Sequence, residues 1–319
     1  MIKRIGVLTS GGDAPGMNAC VRAVIRTGLS RGFEMYGIYD GYRGIMEKNI
    51  KPMNRHSVSE IINRGGTILG TARLPEFADP EIQKKGADIL KNMGIDALIG
   101  IGGDGTYKGL AALSKLGVNT IGLPGTIDND VASSDFTIGF DTALNTVVEC
   151  VDRLRDTSSS HQRCSVIEVM GNHCGDLAAY AGLATGAELT ITADTHMTKD
   201  NVIKYLQGQR AEGKKHAIII ISEKVTDVHE FAHEIEAKCG FETRAEVLGH
   251  MQRGGCPSAS DRILASRMGV FAVELLAQGI TSVCVGIVQN QLKYYDIIDA
   301  LKMPRKDSGD FVRISSIIG

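Results

Sequence analysis

Residues 97–106 read ALIGIGGDGT, and residues 120–130 read TIGLPGTIDND. Each stretch begins as a short apolar run, which is typical of a strand that is buried on both faces of a parallel sheet. Each run then breaks into a turn with glycine and aspartate, and a helical pattern follows the first turn over residues 107–116. Because ligands of open α/β sheets bind outside the carboxyl ends of the strands, the two turns should face one crevice.

The composition of these turns favours phosphate chemistry. Glycines let the backbone approach a phosphate, and exposed N–H groups attract anions. Asp104 would repel a bare phosphate, so its presence indicates that Mg²⁺ lies between the carboxylate and the phosphates. In the second turn, Asp128 or Asp130 can accept a proton from an attacking hydroxyl while the other helps to hold metal-bound water. Together the two turns favour a magnesium–nucleotide kinase.

Two other interpretations of these residues stay open. Either turn taken alone is equally well an ordinary surface turn, because short motifs often match by chance. Gly100, Gly102 and Gly105 also fit the dinucleotide pattern G-x-G-x-x-G. That match is weak, because it would aim Asp104 at a pyrophosphate with no cation between them.

Composition narrows the classes of partner. The sequence has 319 residues, which is enough for about two domains. Its formal net charge is −2, and aromatic residues make up 5% with no tryptophan. This composition argues against nucleic acid or a membrane as a partner. No apolar run approaches the roughly 20 residues of a membrane span, and a strand, rather than a leader, is expected at the start. The 7 cysteines are scattered singly, which indicates reduced thiols in a cytosolic protein.

The beginning of the chain repeats the arrangement of strand, turn and helix. A strand is expected at 5–8, a glycine-rich turn at 9–16 and an amphipathic helix at 17–31. The turn has the form of a phosphate cradle without the lysine of a standard P-loop, although it can equally serve to pack helix on strand. On the helix, Arg22 and Arg26 lie four residues apart on one face, which in most proteins is a solvated face.

The second half of the chain shows the same scheme. A long helix is expected over about 140–156, a polar loop over 157–163 and a strand over 165–169, after which residues 170–176 form a glycine turn with an acid. This weak internal similarity predicts two α/β lobes.

The second half also holds two candidate ligand residues. Glu223 follows the apolar strand 217–221, where it is equally suited to bind sugar hydroxyls or to cap a helix. Arg253 stands beside a Gly-Gly turn, which favours anion binding. A helix at 261–278 and a strand at 282–288 follow.

Taken together, GGDGT at 102–106 and PGTIDND at 124–130 resemble the phosphofructokinase family, in particular its bacterial ATP-dependent 6-phosphofructokinases. The resemblance covers nearly the whole chain. NAD kinases and lipid kinases carry turns similar to the first motif, whereas the second motif is highly specific. The resemblance implies a cytoplasmic, allosterically regulated glycolytic kinase that transfers the γ-phosphoryl group of ATP to the 1-hydroxyl of fructose 6-phosphate.

The resemblance also implies an α/β fold of two Rossmann-like lobes with the active site in the cleft between them. The ATP-binding lobe would comprise residues 1–139 plus 253–305. The lobe that binds fructose 6-phosphate would comprise residues 140–252 plus 306–319. The enzyme would be a homotetramer with shared active sites.

Roles for individual residues follow from the resemblance. Asp128 would be the catalytic base, Asp104 would hold Mg²⁺ with help from Asp130, and Thr126 and Arg73 would stabilise charge on the moving phosphoryl group. ATP would be bound by Gly12, Arg73, Leu74, Gly103, Asp104, Gly105 and Thr106. Fructose 6-phosphate would be bound by Thr126, Ile127, Asp128, Met170, Gly171, Asn172, Glu223, His250, Met251, Gln252 and Arg253, and by Arg163 and Arg244 from a neighbouring subunit. An effector, ADP or phosphoenolpyruvate, would be bound by Arg22, Arg26, Arg155, Gly186, Ala187, Glu188, Glu212, Lys214, Lys215 and His216.

The sequence departs from the family pattern at three positions. Asn172 stands where an arginine is usual, and it cannot supply that charge. Glu212 stands where an effector-binding arginine is common, and Lys224 follows Glu223 where a glycine is usual.

Two rival functions share this fold. One is a phosphofructokinase that uses pyrophosphate instead of ATP. The other is a non-catalytic nucleotide-binding subunit, against which the intact Asp104, Asp128 and Arg73 argue.

The donor is expected to be ATP, because two positions leave room for its α-phosphate. In pyrophosphate-using relatives the position of Gly105 is usually aspartate and that of Gly125 is usually lysine; here both are glycine. Gly105→Asp should therefore sharply reduce the use of ATP, since the carboxylate would crowd and repel the α-phosphate. The measurement compares rates of fructose 6-phosphate phosphorylation with ATP and with pyrophosphate at equal magnesium. A faster rate of the unmodified protein with pyrophosphate would contradict this argument.

Overall fold

The computed structural model describes residues 2–195, 197–305 and 307–318, and in these ranges the chain divides into two compact units. Unit 1 comprises residues 2–127, 131–142 and 253–305, and unit 2 comprises Asp128–Asp130, the described residues of 143–252, and 307–318. Positions 1, 196, 306 and 319 of the predicted lobes lie outside the described residues.

The strands and helices follow one another in alternation. The strands are β1 (Arg4–Thr9), β2 (Glu34–Ile38), β3 (Ile50–Met53), β4 (Ala97–Gly102), β5 (Asn119–Pro124), β6 (Arg163–Val169), β7 (Leu189–Ile191), β8 (Ala217–Ser222), β9 (Glu242–Val247), β10 (Val283–Val288) and β11 (Gln291–Asp296). The α-helices are α1 (Met17–Ser30), α2 (Gly41–Met46), α3 (Pro80–Asn92), α4 (Asp104–Lys115), α5 (Phe140–His161), α6 (Asp176–Thr185), α7 (Lys199–Ala211), α8 (Val228–Cys239), α9 (Ala259–Ala277), α10 (Ile297–Ala300) and α11 (Gly309–Ile318). Short 3₁₀ helices cover His56–Val58, Pro75–Ala78 and Gly249–Arg253. None of the helices in the described ranges is both long and apolar enough to cross a membrane.

Unit 1 is built on a seven-stranded sheet in the order β11-β10-β5-β4-β1-β2-β3. Its central strands are parallel, and β3 and β11 pair antiparallel at the two edges. All residues of β4 are buried, as the apolar run predicted for a strand covered on both faces. The register aligns Thr9, Ile101 and Leu123 side by side. The turns that follow β1, β4 and β5 therefore emerge at one edge of the sheet.

Unit 2 is built on a smaller parallel sheet in the order β7-β8-β6-β9. All residues of β8 are buried, and Phe231 and Phe241 lie in the apolar core beside it. Val169 at the end of β6 pairs with Ser222 at the end of β8. The residues that follow these two strands are therefore neighbours.

The prediction of a polar loop over residues 157–163 is wrong. Helix α5 continues to His161, and β6 begins at Arg163. The hydroxyl groups of Ser158 and Ser165 are 2.6 Å apart and both residues are buried. A serine-rich segment can thus remain helical, because its buried hydroxyl group has a partner inside the unit.

The lobe ranges drawn from the sequence stay a prediction, and the structure groups two short segments differently. Residues 128–130 lie in unit 2, where Asn129 Nδ2 donates to Asp176 Oδ2 at 2.8 Å. Residues 140–142 lie in unit 1, where Thr142 is bonded to Asp261.

Asp261 fixes the start of α5 within unit 1. Its carboxylate is 1% exposed and accepts hydrogen bonds from the N–H of Gly139, the N–H of Thr142 and the Thr142 hydroxyl, at 2.8, 2.8 and 2.5 Å. Burial raises the pKa of Asp261, and these hydrogen bonds oppose the shift. Gly139 has φ +108, where a side chain would be strained. The Asp261 carboxylate thus accepts hydrogen bonds from both sides of the first residues of α5.

Asp261→Ala is expected to lower the free energy of unfolding by about 2–4 kcal/mol, because it leaves two buried N–H groups without an acceptor. Urea denaturation followed by circular dichroism measures the change. Asp299→Ala is the control, because the Asp299 side chain is 72% exposed and its ion pair with Lys302 contributes at most about 1 kcal/mol. Equal losses in the two variants would contradict the role given to Asp261.

Candidate active site

The turns after β1, β4 and β5 are joined to one another by backbone hydrogen bonds in unit 1. The N–H of Ser10 donates to Ile101 O, and the N–H of Gly125 donates to Gly102 O, both at 3.0 Å. A Cβ at Gly102 would lie 2.4 Å from Ser10 O and 2.2 Å from Thr106 Oγ1. Only glycine allows the β4 turn to approach the β1 turn this closely.

Helix α4 begins directly in the β4 turn, at Asp104. Thr106 in its first turn is buried, and its hydroxyl donates to Ser10 O at 3.1 Å. A Cβ at Gly105 would meet nothing within 4 Å, so the amino end of the helix is open at this point. N–H groups at such an end attract anions. The predicted nucleotide residues Gly103, Asp104, Gly105 and Thr106 thus form one helix start.

Asp104 has a cationic partner that the sequence analysis missed. Lys108 Nζ lies 2.9 Å from Asp104 Oδ2, four residues along α4, and both side chains are more than two-fifths exposed. The i, i+4 spacing of an acid and a lysine on a helix was the signal available in the sequence. Across the described ranges, no group of three or more histidine, cysteine, aspartate or glutamate residues is placed to hold a metal.

The β1 turn places Gly12 against Arg253. A Cβ at Gly12 would lie 2.3 Å from Arg253 Nη1, and the same nitrogen donates to Asp13 O at 3.2 Å. Arg253 was predicted as a ligand of the sugar phosphate. The structure brings its guanidinium group onto the glycine turn of unit 1, where it adds positive charge beside the open backbone.

Arg73 follows a segment that is tied to the β1 turn. The Thr71 hydroxyl donates to Gly11 O at 2.6 Å, and the Thr9 hydroxyl donates to Gly70 O at 2.8 Å. Arg73 itself is exposed, and Leu74 is half-buried. The two anchors hold the backbone near the turn and leave the guanidinium group able to reach a ligand.

The segment after β5 carries the candidate base. In unit 1, the N–H of Thr126 donates to Ile138 O at 3.1 Å, and the Thr137 hydroxyl donates to Thr126 O at 2.6 Å. Ile127 is fully buried. Asp128 and Asp130 belong to unit 2 and are each 8% exposed. Two carboxylates in so protected a place are consistent with a functional role.

Asn129 separates the two aspartates and is in the left-handed conformation, with φ +53. Its amide donates to Asp176, the first residue of α6. Burial raises the pKa of Asp176, and the hydrogen bond from Asn129 opposes that shift. Asn129 thus anchors this segment to the start of α6 within unit 2.

In unit 2, Glu223 joins the ends of β6 and β8. Its Oε1 accepts from the N–H of Gly171 at 3.1 Å and from the N–H of Asn172 at 2.7 Å. The alternative that Glu223 caps a helix does not hold, because Asp227 caps α8 by accepting from two of its N–H groups. One Glu223 oxygen thus positions the turn that follows β6.

Gln252 carries out a similar task beside Met170. Its Oε1 accepts from the N–H of Met170 at 3.2 Å, its Nε2 donates to Gly249 O at 3.0 Å, and the side chain is fully buried. His250 and Met251, from the same 3₁₀ helix, are exposed. Of this predicted group, Gln252 is oriented inward and the other two face solvent in the single chain.

Arg163 and Arg244 lie toward the amino ends of the adjacent strands β6 and β9. Arg163 begins β6 and lies 2.8 Å from Glu242 Oε1, to which Arg244 also donates. The hydrogen bond from Arg163 lowers the pKa of Glu242. Met170 follows the other end of β6, roughly 20 Å away at 3.3 Å per residue. Arg163 therefore begins far from Met170 in a single chain, whereas Arg244, which pairs with Ser165, begins nearer to it.

Four of the predicted effector residues are brought together in unit 2. Arg155 Nη2 donates to Thr185 O at 2.7 Å and to Gly186 O at 3.2 Å, and Lys214 Nζ lies 2.8 Å from Glu188 Oε1. The other Glu188 oxygen accepts from the N–H of Ile218 at 2.5 Å.

The remaining predicted effector residues are more scattered. In unit 2, Ala187 is buried, His216 is half-buried, and Glu212 and Lys215 are exposed. Arg22 and Arg26 lie on α1 in unit 1, and burial, together with the charge of Arg26, lowers the pKa of Arg22.

Glycine turns that leave a helix start open at the carboxyl edge of a parallel sheet bind phosphate groups in many α/β proteins. This chain is of that class. It matches the family described as Phosphofructokinase over residues 4–276, and it belongs to that family, which confirms the resemblance drawn from its motifs.

Individual relatives agree. An ATP-dependent 6-phosphofructokinase of Vibrio campbellii is 57% identical over 316 residues, which cover 99% of each chain. Phosphofructokinase from Saccharomyces cerevisiae is 35% identical with a TM-score of 0.84; the match covers 98% of this chain and 47% of the yeast chain, so this chain spans about half of its length. A pyrophosphate-dependent phosphofructokinase from Marinobacter aquaeolei is 19% identical with a TM-score of 0.86, over 98% of this chain and 91% of the other, and shows the fold alone. The predicted fold class is thereby confirmed.

Proposed function

We propose that this chain is a cytoplasmic glycolytic kinase, an ATP-dependent 6-phosphofructokinase, which transfers the γ-phosphoryl group of ATP to the 1-hydroxyl of fructose 6-phosphate. One observation carries the proposal: the PGTIDND segment follows β5 beside the glycine turn of β4, with Asp128 buried in it. The near-full-length identity to the Vibrio campbellii relative supports the same reaction.

ATP would be bound at the turns of unit 1. N–H groups at the start of α4 and at Gly12 would bind phosphate oxygens. The space at Gly105 favours a donor with an α-phosphate, because nothing lies within 4 Å of the site of a Cβ. A Cβ at Gly125 would lie 2.8 Å from Ile101 Cγ2. A change at Gly125 would therefore disturb packing, whereas Gly105 offers a test of donor choice alone.

Mg²⁺ would be held by Asp104. A single partly exposed carboxylate fits this ion, because Mg²⁺ commonly takes one or two protein carboxylates and completes its shell with water and phosphate oxygens. The ion would neutralise charge on the phosphates. In the structure, Lys108 provides the positive charge beside Asp104. A bound metal ion would provide that charge instead. Asp130 would assist through metal-bound water.

The acceptor hydroxyl would be activated by Asp128. A loose phosphoryl-transfer transition state requires little early removal of the proton, so an ordinary aspartate suffices. Thr126 and Arg73 would stabilise charge on the moving phosphoryl group, because a guanidinium group binds two phosphate oxygens at once and stays charged. Glu223 would accept from sugar hydroxyls with its second oxygen, beside Met170, Gly171 and Asn172. Ile127, His250, Met251, Gln252 and Arg253 would complete the sugar-phosphate site.

The enzyme would be a homotetramer in which Arg163 and Arg244 bind the 6-phosphate of a neighbouring subunit's substrate. The distance of Arg163 from Met170 along β6 supports this arrangement. ADP or phosphoenolpyruvate would bind as effector at the cluster of Arg155, Gly186, Glu188 and Lys214, together with Arg22 and Arg26.

Asp128→Asn is expected to lower kcat by roughly 10²–10⁴, while KM for ATP and for fructose 6-phosphate changes little. The amide keeps the size of the buried side chain but cannot accept the proton. A coupled assay with ATP, Mg²⁺ and fructose 6-phosphate measures both parameters. Asp88→Asn, the same change at an exposed position of α3, should retain full turnover. Near-normal kcat in Asp128→Asn would remove Asp128 from this role.

Mixing two inactive variants tests the shared site. Arg163→Ser protein lacks the arginine that a neighbour would use, and Asp128→Asn protein lacks the base. After subunit exchange, about one quarter of the unmodified activity should return, because random assembly gives one site in four both intact residues. Each parent put through the same exchange alone is the control. If tagged subunits exchange and no activity returns, each subunit has a site of its own.

A further inference from the structure

Lys224 is held in contact with Asn172 within unit 2. The ammonium Nζ of Lys224 lies 2.6 Å from Asn172 Oδ1. Lys224 follows the end of β8, and Asn172 follows the end of the paired strand β6. Together with the two N–H groups that donate to Glu223, this contact joins the two turns by three hydrogen bonds. The two turns are therefore held together by more than the Lys224 side chain.

The contact fixes which way the Asn172 amide faces. A lysine ammonium only donates hydrogen bonds, so the atom that faces it must be the amide oxygen. The NH₂ group of Asn172 is then directed away from Lys224 and can donate to a ligand. Asn172 is half-buried with φ +58, and Lys224 is exposed with φ +67. Glycine is favoured at such angles, so a lysine there contributes through its side chain rather than through its backbone.

The surroundings of the pair are acidic. Glu168 is the second-last residue of β6, Glu223 follows β8, and Asp227 caps α8. Burial and then the charges of Glu223 and Asp227 raise the pKa of Glu168, while His229 lowers it. An anionic sugar phosphate that approached this edge of the sheet would be repelled by uncompensated carboxylates. A cation beside Glu223 would offset part of this negative charge, and Lys224 is the next residue in the chain.

We propose that Lys224 and Asn172 act as one anion-binding pair for fructose 6-phosphate, in which Lys224 supplies the positive charge and positions the Asn172 amide to donate to the substrate. The pair provides both a positive charge and oriented N–H donors. Asn172 by itself would provide the donors without the charge. Lys224 is thus a substrate-binding residue. This inference rests on the proposed function.

Lys224→Gly tests the pair without adding backbone strain, because glycine adopts φ +67 readily. The half-saturating concentration of fructose 6-phosphate should rise roughly 10- to 100-fold, as expected for loss of a hydrogen bond to a charged group. KM for ATP should stay within about 2-fold, because the phosphate turns of unit 1 are unaltered. Lys48→Gly is the matched control: Lys48 is also exposed and has φ +57.

Further variants distinguish the positioning of the Asn172 amide from the positive charge of Lys224. In the Lys224→Gly background, Asn172→Ala should cause little further loss of affinity for fructose 6-phosphate, because the amide is no longer held by the lysine. In the otherwise unmodified protein, the same substitution should cause a clear loss of affinity. Asn172→Arg in the Lys224→Gly background should restore most of the affinity, since it returns a charge and planar donors. Additive losses, or a Lys224→Gly protein that behaves like Lys48→Gly, would overturn the proposal.

Titration calorimetry with fructose 6-phosphate distinguishes failure of this inference from failure of the proposed function. Binding that weakens in Lys224→Gly supports the pair whether or not turnover is seen. Unmodified protein that binds the sugar phosphate but does not phosphorylate it would contradict the proposed function and leave the pair standing. Unmodified protein that turns over with unchanged binding in Lys224→Gly would contradict the pair alone.

Discussion

The close approach of the β1 and β4 turns is the constraint on which the nucleotide side of this protein depends. The missing side chain at Gly102 lets Ser10 O and Thr106 Oγ1 occupy the space that a Cβ would fill. Through this approach the Thr106 hydroxyl can bond to Ser10 O, and the start of α4 is anchored to the first turn of the chain. One backbone hydrogen bond, from the N–H of Gly125 to Gly102 O, joins the turn after β5 to the other two turns. Three glycine turns thus behave as one surface of N–H groups, which is the electrostatic requirement for a polyphosphate.

Negative charge is used sparingly on that surface. Asp104 is the acid of the β4 turn, and a lysine one helical turn later balances it. Arg253 adds a guanidinium group over Gly12, and this contact is possible only because Gly12 has no side chain. In unit 2, the ends of β6 and β8 carry Glu168, Glu223 and Lys224, and the lysine contacts the Asn172 amide. In the proposed reaction, the turns of unit 1 would bind the polyphosphate donor and the turns of unit 2 would bind the sugar phosphate.

The length of β6 has a consequence for assembly. The seven-residue strand β6 separates Arg163 at its beginning from the glycine turn that follows its end. Arg163 and Arg244 are meanwhile balanced by Glu242 in the single chain. In the homotetramer proposed above, Arg163 and Arg244 would instead bind the substrate of a neighbouring subunit.

The sequence by itself determined the parallel α/β fold, because buried parallel strands read as apolar runs and glycine turns mark where they end. It also located the turns at 102–106 and 124–130 and the family to which the chain belongs. Tertiary structure decided what local patterns leave open: that the serine-rich segment after residue 156 stays helical through Ser158 and Ser165, and that Asp227 rather than Glu223 caps α8. It also decided that Lys224 reaches Asn172 from 52 residues away. Periodicity and turn chemistry act over a few neighbouring residues, whereas these contacts depend on which strands lie side by side, and strand register is fixed only when the whole unit has folded.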